Sequence, residues 1–471
     1  MSNQGNGRQG SSGIVDRMRQ RRTLLADAWH SRLWPVPAFG VVISILAGVT
    51  IPEIDGAVDD ELPQTLSAYL FGGGADAARE VLGAIATSLI TVTSLTFSLT
   101  VVTLQLASSQ YTPRLLRTFA ADRFVQRTLA LFLATFVYAL TVLRTVRNDE
   151  DDTAEFVPQI AVTVAYLLAM ASVLALVLFL GHLVRQIRIE TMLEHVSDDI
   201  RDTSRRMLDP RDEHGGENFG GEDFTPPPTA DAAIILARHS GFLVEVNEQA
   251  LVSAAVDADA VIWMDRPVGS DLQARVPVAF CWPGEPTAGA LDEEQLTSLR
   301  ERVTAALSTG IERTATQDIG YGLRQLTDVV VRALSPGIND PTTAIHGLNS
   351  CSAVLCELAG YRLGRHTLRD EHDTVRVVMA RPDLPELLDL VCNQPQRYGA
   401  SDPAVLARLL SLLRELAWVV VLPAHRRAIT ERLRRLESTA AAQDFDQVEH
   451  RHLERLADRV REALVHRWTP T

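Results

Sequence analysis

Four apolar runs in the first part of the chain constrain its fold more than anything else: Val36–Ile51, Leu82–Ala107, Thr128–Leu143 and Phe156–Val184. A helix needs about 20 apolar residues to cross the hydrocarbon of a bilayer. The fourth run, "FVPQIAVTVAYLLAMASVLALVLFLGHLV", exceeds that length. The first and third fall short, so they either span with help from flanking arginines and local thinning, or form buried or re-entrant helices. Trp29 and Trp34 precede the first run, where amphipathic rings suit the membrane interface.

The segments between the runs alternate in charge. Arg17, Arg19, Arg21, Arg22 and Arg32 precede the first run; Arg114, Arg117, Arg123 and Arg127 follow the second; Arg185 and Arg188 follow the fourth. The other two connections, "PEIDGAVDDELP" and "RNDEDDTAEF", are acidic. Basic segments stay on the cytoplasmic side. All three basic segments share a side only with four spans and both termini cytoplasmic. The expectation is a multi-pass protein of the bacterial inner membrane. The polar, flexible start of the chain does not read as a signal peptide, because its apolar run comes late and no small-residue cleavage site follows.

The formal net charge of −14 argues against nucleic acid as a partner, since phosphate binding needs a basic surface. All 45 basic residues are arginine. The absence of lysine excludes a P-loop lysine, a Schiff base and a biotinyl or lipoyl attachment point. Cys281, Cys351, Cys356 and Cys392 form no CxxC pair and read as reduced, partly buried thiols, with no metal site.

Beyond the fourth run, Ile189, Leu193, Val196, Ile200 and Met207 keep a helical stripe, until "DPRDEHGGENFGGEDFTPPPTAD" breaks it. From Ala232 to Trp282, short β-branched runs separated by Gly, Pro and Asp read as a small β-barrel or sandwich. Helices dominate the remainder. Asp318 caps one; Asp340, with Pro341 at the first position, caps the next. The expected fold is thus a membrane α-helical part with four transmembrane helices, joined to a cytoplasmic α/β domain. Its divisions are a basic tail (1–30), the four-span domain (31–188), a helical extension with an acidic linker (189–230), a β-rich domain (231–285) and a mainly helical domain (286–471).

The second run is unusual in its hydroxyls: "ATSLITVTSLTFSLTVVTLQLASSQ". At about 100° per residue, Thr87, Thr91, Ser94, Ser98, Gln105 and Ser109 share one stripe, and Thr93, Thr96, Thr100 and Thr103 lie roughly opposite. Leu95, Leu99 and Leu106 fill one flank; Ile90, Phe97 and Leu104 fill the other. Small hydroxylic residues suit close helix packing, and they also suit the wall of a polar path. Gln105 favours the path, because an amide in hydrocarbon needs a partner or water. After Gln110, "YTPRLLRTFAADRFVQR" reads as an amphipathic helix, with Arg114, Arg117, Arg123 and Arg127 at the cytoplasmic interface, against anionic lipid headgroups or around the mouth of an oligomeric pore.

"SPGINDPTTAIHG" places Asn339, Asp340 and His346 close together at a helix N-terminus, which suits an anion; Asp340 as a cap accounts for the same residues without a ligand. "RHTLRDEHDTV" offers His366, Asp370, His372 and Asp373, read as a solvated loop. No nucleophile elbow, HExxH, glycine-rich nucleotide loop or kinase signature occurs, so no catalytic residue, metal or cofactor is assigned.

Two long motifs, "SLTFSLTVVTLQLASSQYTPRLLRTF" with the following "LALFLATFVYALTVLR", and "RTATQDIGYGLRQLTDVVVRALSPGINDPTTA", resemble a bacterial family of predicted membrane proteins, domain of unknown function 2254; "NQPQRYGASDPAV" is a weaker third match. The resemblance extends from about Trp29 to Val460 and implies an integral membrane protein with a cytoplasmic C-terminal domain, without catalytic residues to carry over. Arg275, in "GSDLQARVPVA", stands where a second glycine is expected, which questions the tight turn there. The functional expectation is an oligomeric channel or transport protein for ions, embedded in membrane lipids as a homo-oligomer. The alternative is a membrane-anchored sensor or scaffold.

Overall fold

The computed structural model describes residues 34–58, 70–110, 122–147, 156–186, 188–211, 232–284 and 291–470, with the side chains of 58, 106–110 and 186 excepted. Arg114, Arg117, the side chain of Ser109, the basic tail and most of the acidic linker lie outside them. The chain forms two compact units, Met1–Arg188 and Ile189–Thr471.

The first unit holds four helices long and apolar enough to cross a membrane: α1 (Pro35–Val58), α2 (Ala75–Gln110), α3 (Arg123–Leu143) and α4 (Gln159–Gln186). α3 is the central element and packs against the other three. Phe132, Tyr138, Ala139 and Val142 of α3 sit in one core with Leu82, Ile85 and Leu89 of α2 and Ala161, Val162 and Ala165 of α4. The short first and third runs thus extend into full-length helices, the first mainly beyond its C-terminal end to Val58 and the third at its N-terminal end from Arg123. α1 lies close on α3: a Cβ at Gly48 would stand 2.8 Å from Thr141 Cβ. Only a residue without a side chain permits that approach, the small-residue packing that replaces hydrophobic drive in lipid.

Part of the first acidic connection is not loop. α1 continues through "PEIDGAV", and Asp55 is buried, 2 % exposed. Its Oδ2 accepts the Ala161 backbone N–H at 3.1 Å, at the start of α4, while the Tyr138 hydroxyl donates to the Ala161 carbonyl at 3.2 Å. A carboxylate there meets the orphan donors of a helix N-terminus. The second acidic connection is pinned at its ends by paired backbone bonds between Arg147 and Phe156, both 3.1 Å.

The second unit begins with α5 (Ile189–Met207), which packs on α8 (Ile319–Ala333) and α9 (Pro341–Leu358) through its stripe of Leu193, Val196 and Ile200. The β-rich region does not close into a barrel. It forms two open sheets, β1-β5-β3-β8-β7 and β4-β2-β6. The first comprises β1 (Ala233–Leu236), β3 (Ala260–Met264), β5 (Pro277–Pro283), β7 (His366–Arg369) and β8 (Val375–Met379). The second comprises β2 (Gly241–Val246), β4 (Asp271–Leu272) and β6 (Leu307–Gly310). β6, β7 and β8 come from beyond residue 285, and β8 pairs in parallel with β3 (Ile262 opposite Val377). Helices α6 (Glu248–Asp257) and α7 (Glu293–Ala306) cover the larger sheet. α10 (Leu384–Tyr398), α11 (Pro403–Val419), α12 (Pro423–Ala441) and α13 (Gln447–Leu464) complete the helical part.

The stretch read as a solvated loop is a hairpin. His366 lies in β7, and Asp370 closes the turn by accepting the His372 and Thr374 backbone N–H groups and the Arg376 guanidinium at 2.7 Å. The questioned turn at Arg275 also forms. Arg275 takes a left-handed φ of 68°, and its N–H donates to the Ala237 carbonyl at 2.9 Å.

Candidate functional site

The polar residues of α2 divide by face as their spacing predicts. Thr93, Thr96 and Thr103 are buried and Thr100 half-buried on the side packed into the first unit. Thr87, Thr91, Ser94, Ser98 and Gln105 are all exposed on the other side. Leu95 and Val102 flank the exposed stripe on one edge, Ile90, Phe97 and Val101 on the other, all exposed. The outer face of α2 is therefore a polar band edged by lipid-compatible side chains.

The two stripes satisfy their hydroxyls differently. Thr93 donates to the Leu89 carbonyl at 2.6 Å, Thr100 to Thr96 at 2.8 Å and Thr103 to Leu99 at 2.8 Å, each one turn back along the helix. Thr96, 1 % exposed, has no hydrogen-bond partner for Oγ1 among the described residues. On the outer stripe, Thr91 donates to the Thr87 carbonyl at 2.9 Å. Ser94, Ser98 and Gln105 have no side-chain partner among the described residues. A carboxamide facing hydrocarbon is costly, so this band calls for water or another polar surface.

Arg123 and Arg127 are exposed in the first turns of α3. Beside them lies a pair that the sequence reading missed. Asp122 caps α3, its Oδ1 accepting the Phe124 N–H at 2.7 Å, and its Oδ2 lies 2.7 Å from Nε2 of His182 on α4. The His182 ring also packs on Phe124, with centroids 4.6 Å apart. The available signal was a lone histidine inside the longest apolar run.

In the second unit, Asp340 caps α9: its Oδ1 accepts the Thr343 N–H at 3.1 Å, and hydrogen bonding by Thr343 holds its carboxyl below the ordinary range. Asn339 precedes it with a left-handed φ of 50° and is exposed. His346 faces away toward α5, its Nδ1 3.8 Å from Glu190 Oε1. Asn339 and Asp340 are neighbours in the turn, and His346 lies within α9, near enough to Asp340 to help lower its carboxyl. Asp318 caps α8 and is paired with Arg313 at 2.6 Å; burial raises its carboxyl, against the pull of Arg313. Gly269 (φ 90°) lies against this carboxylate, and a Cβ there would overlap Asp318 Oδ2. The residues of "RTATQDIG" thus tie α8 to the small sheet, with Gln317 bonding both the N–H and the carbonyl of Val246.

Burial pushes all four thiols up, Cys281 and Cys356 to about 11 and Cys351 and Cys392 to about 12. They are free, and no His/Cys/Asp/Glu group among the described residues has the make-up of a metal site. A cleft of 210 Å³ between α5 and α9 is lined by Arg201, Ser204, Arg205, Glu357 and Tyr361 together with apolar side chains.

Four membrane-length helices, three of them packed on a central α3, followed by a separate α/β unit, define an α-helical membrane protein. The family model described as "Predicted membrane protein (DUF2254)" matches residues 30–415, and the chain belongs to that family. Uncharacterized proteins of Mycobacterium bovis and Mycobacterium tuberculosis are each 35% identical to it over 431 residues, 91% of this chain and 80% of theirs. No solved structure matches.

Proposed function

We propose that this protein is an oligomeric channel or transport protein of the bacterial inner membrane. Copies assemble with the outer stripes of their α2 helices around a shared polar path, and ions are the cargo. The observation that carries this reading is the outward placement of Thr87, Thr91, Ser94, Ser98 and Gln105, on a helix whose opposite hydroxyl face already packs inside the unit. Polar side chains in a membrane face a bundle interior or water, and among the described residues one four-helix unit offers no such interior on that side. Acidic connections on the outer side would favour cations, with Asp55 withdrawn from that role by its burial. Both termini are cytoplasmic in this reading, Arg114, Arg117, Arg123 and Arg127 lie at the cytoplasmic interface, and the chain carries out no catalysis.

The test is ion flux in liposomes under applied gradients, voltage and tension. Flux that is lost in Ser94→Leu/Ser98→Leu with the oligomer intact supports the proposal. Absence of flux under all three drives refutes it. A second reading, a membrane-anchored sensor or scaffold, draws on the cleft between α5 and α9 as a ligand site, with Arg201 on its wall already paired with Glu357 and Asp198. In that case the same double variant would disturb assembly with no flux to lose.

A further inference from the structure

We infer that one end of the second unit, where α11 stops and the chain leaves α13, is a docking surface for an anionic lipid headgroup layer. Trp418, Val419, Val421, Val465 and Trp468 are exposed there, Val421 at 59% and Val465 at 67%. The Trp418 and Trp468 rings meet edge to face with centroids 5.5 Å apart, and Trp418 lies 5.8 Å from the His466 ring. The two segments therefore form one surface. Arg414 fixes it from beneath: its guanidinium stands 3.8 Å from the Trp468 centroid and donates to the Thr469 carbonyl at 2.5 Å. These aromatic rings are held in place at the surface.

The charge of this end runs against that of the chain. With 59 acidic residues in 471, an acid is expected about once in eight positions. Yet "LAWVVVLPAHRRAIT" (416–430) and "ALVHRWTPT" (463–471) contain none, while they carry Arg426, Arg427 and Arg467. Arg427 and Arg467 are exposed; Arg426 is half-buried against His466. Tryptophan rings seat at the headgroup level of a bilayer. Guanidinium groups bind phosphate in two-pronged fashion. Apolar side chains beside an excess of cations are the composition of an interfacial surface; a carboxylate bonded into this end, Glu462, accepts the Thr469 hydroxyl at 2.6 Å. A second copy is a poor occupant, because a two-fold contact sets the same patch against itself and opposes its three arginines to their counterparts. The chain is already held at a bilayer by its spans, so weak affinity suffices.

The test uses the full-length protein reconstituted in vesicles of phosphatidylcholine alone, or with about one-third phosphatidylglycerol. Both preparations contain phosphatidylcholine brominated near the headgroup end of its chains, which quenches tryptophan at that depth. Subtracting the signal of Trp418→Phe/Trp468→Phe isolates the two rings from the other four tryptophans. The expected result is quenching of that share in the anionic vesicles alone. In Arg426→Gln/Arg427→Gln/Arg467→Gln the quenching falls away, since each arginine is worth about fivefold near an anionic surface and three shift docking by about a hundredfold. Val421→Glu/Val465→Glu, at two exposed positions that leave the core intact, abolishes quenching with both tryptophans present. Equal quenching in the two vesicle types overturns the inference, as does none in either. Emission that shifts to the blue with rising protein density in phosphatidylcholine alone also overturns it, and identifies a second copy as the occupant.

Discussion

The two hydroxyl stripes of α2 make opposite demands on their surroundings, and Thr96 is where this is sharpest. Its Oγ1 is buried without a partner among the described residues, whereas Thr93, one turn earlier on the same face, bonds back to Leu89 at 2.6 Å. A buried hydroxyl without a partner costs about 1–3 kcal/mol in water-soluble proteins. In a bilayer the unfolded reference is itself short of water, which reduces the gain from removing it to about 1 kcal/mol. Valine matches threonine in shape, so Thr96→Val removes the hydroxyl without opening a cavity and should stabilise the first unit by about 1 kcal/mol. Thr93→Val exchanges a satisfied back-bond for a methyl group and should stay within about 0.5 kcal/mol of the wild type. Equilibrium unfolding in mixed micelles with increasing dodecyl sulfate, followed by far-ultraviolet circular dichroism, measures both. If Thr96→Val loses about 1 kcal/mol or more, its hydroxyl is bonded in the intact protein. The buried stripe would then face water or a polar partner, and the division of α2 into a packing face and a polar face would be wrong.

Further outcomes follow from other positions. Gly48→Ala should destabilise the first unit by about 1–3 kcal/mol by overpacking, since its Cβ would stand 2.8 Å from Thr141 Cβ; the same titration reads this. Arg275→Gly should stabilise the second unit by about 1 kcal/mol in thermal unfolding, by relieving a left-handed residue that carries a side chain. Asp340→Ala should cost about 1 kcal/mol through loss of the α9 cap, whether or not an anion binds there. His425 is buried, with its pKa pushed down from 6.5 to about 4, first by burial and then by Arg211. The unfolded chain therefore binds the proton first. This stability is fully present above about pH 6.5, declines as pH falls and is spent near pH 4, up to about 3 kcal/mol in all. His425→Phe should flatten that part of the stability curve.

The spans and the two faces of α2 were legible because both are local: length and apolar composition mark a span, and helical periodicity marks a face. Asp318 and Asp340 were legible as caps for the same reason. The failures are non-local. "PEIDGAV" looked like loop because it holds two acids and a proline; Asp55 is tolerated in the helix because Ala161, distant in sequence, offers it a donor. A small barrel or sandwich within Ala232–Trp282 was expected because that stretch was read alone, and its strands also pair with strands from beyond it. Its central strand β3 pairs with β8, more than a hundred residues later, and nothing in either strand names its partner. The Asp122–His182 contact joins two helices whose pairing is set by packing. The exposed tryptophan end of the second unit was invisible for a related reason, since "ELAWVVV" reads as core until the chain fails to cover it.

Substituted-cysteine accessibility tests the central claim most directly. The four native thiols, three of them buried and all with raised pKa, give a low background. Single cysteines are placed at Thr87, Thr91, Ser94, Ser98 and Gln105, and for comparison at Leu174 and Val177, exposed apolar positions of α4. A charged, water-soluble thiol reagent is then applied to the protein in native membranes. The account predicts reaction along the whole α2 stripe and none at Leu174 or Val177. A stripe as unreactive as the α4 positions would contradict it and leave α2 facing lipid or a dry helix contact.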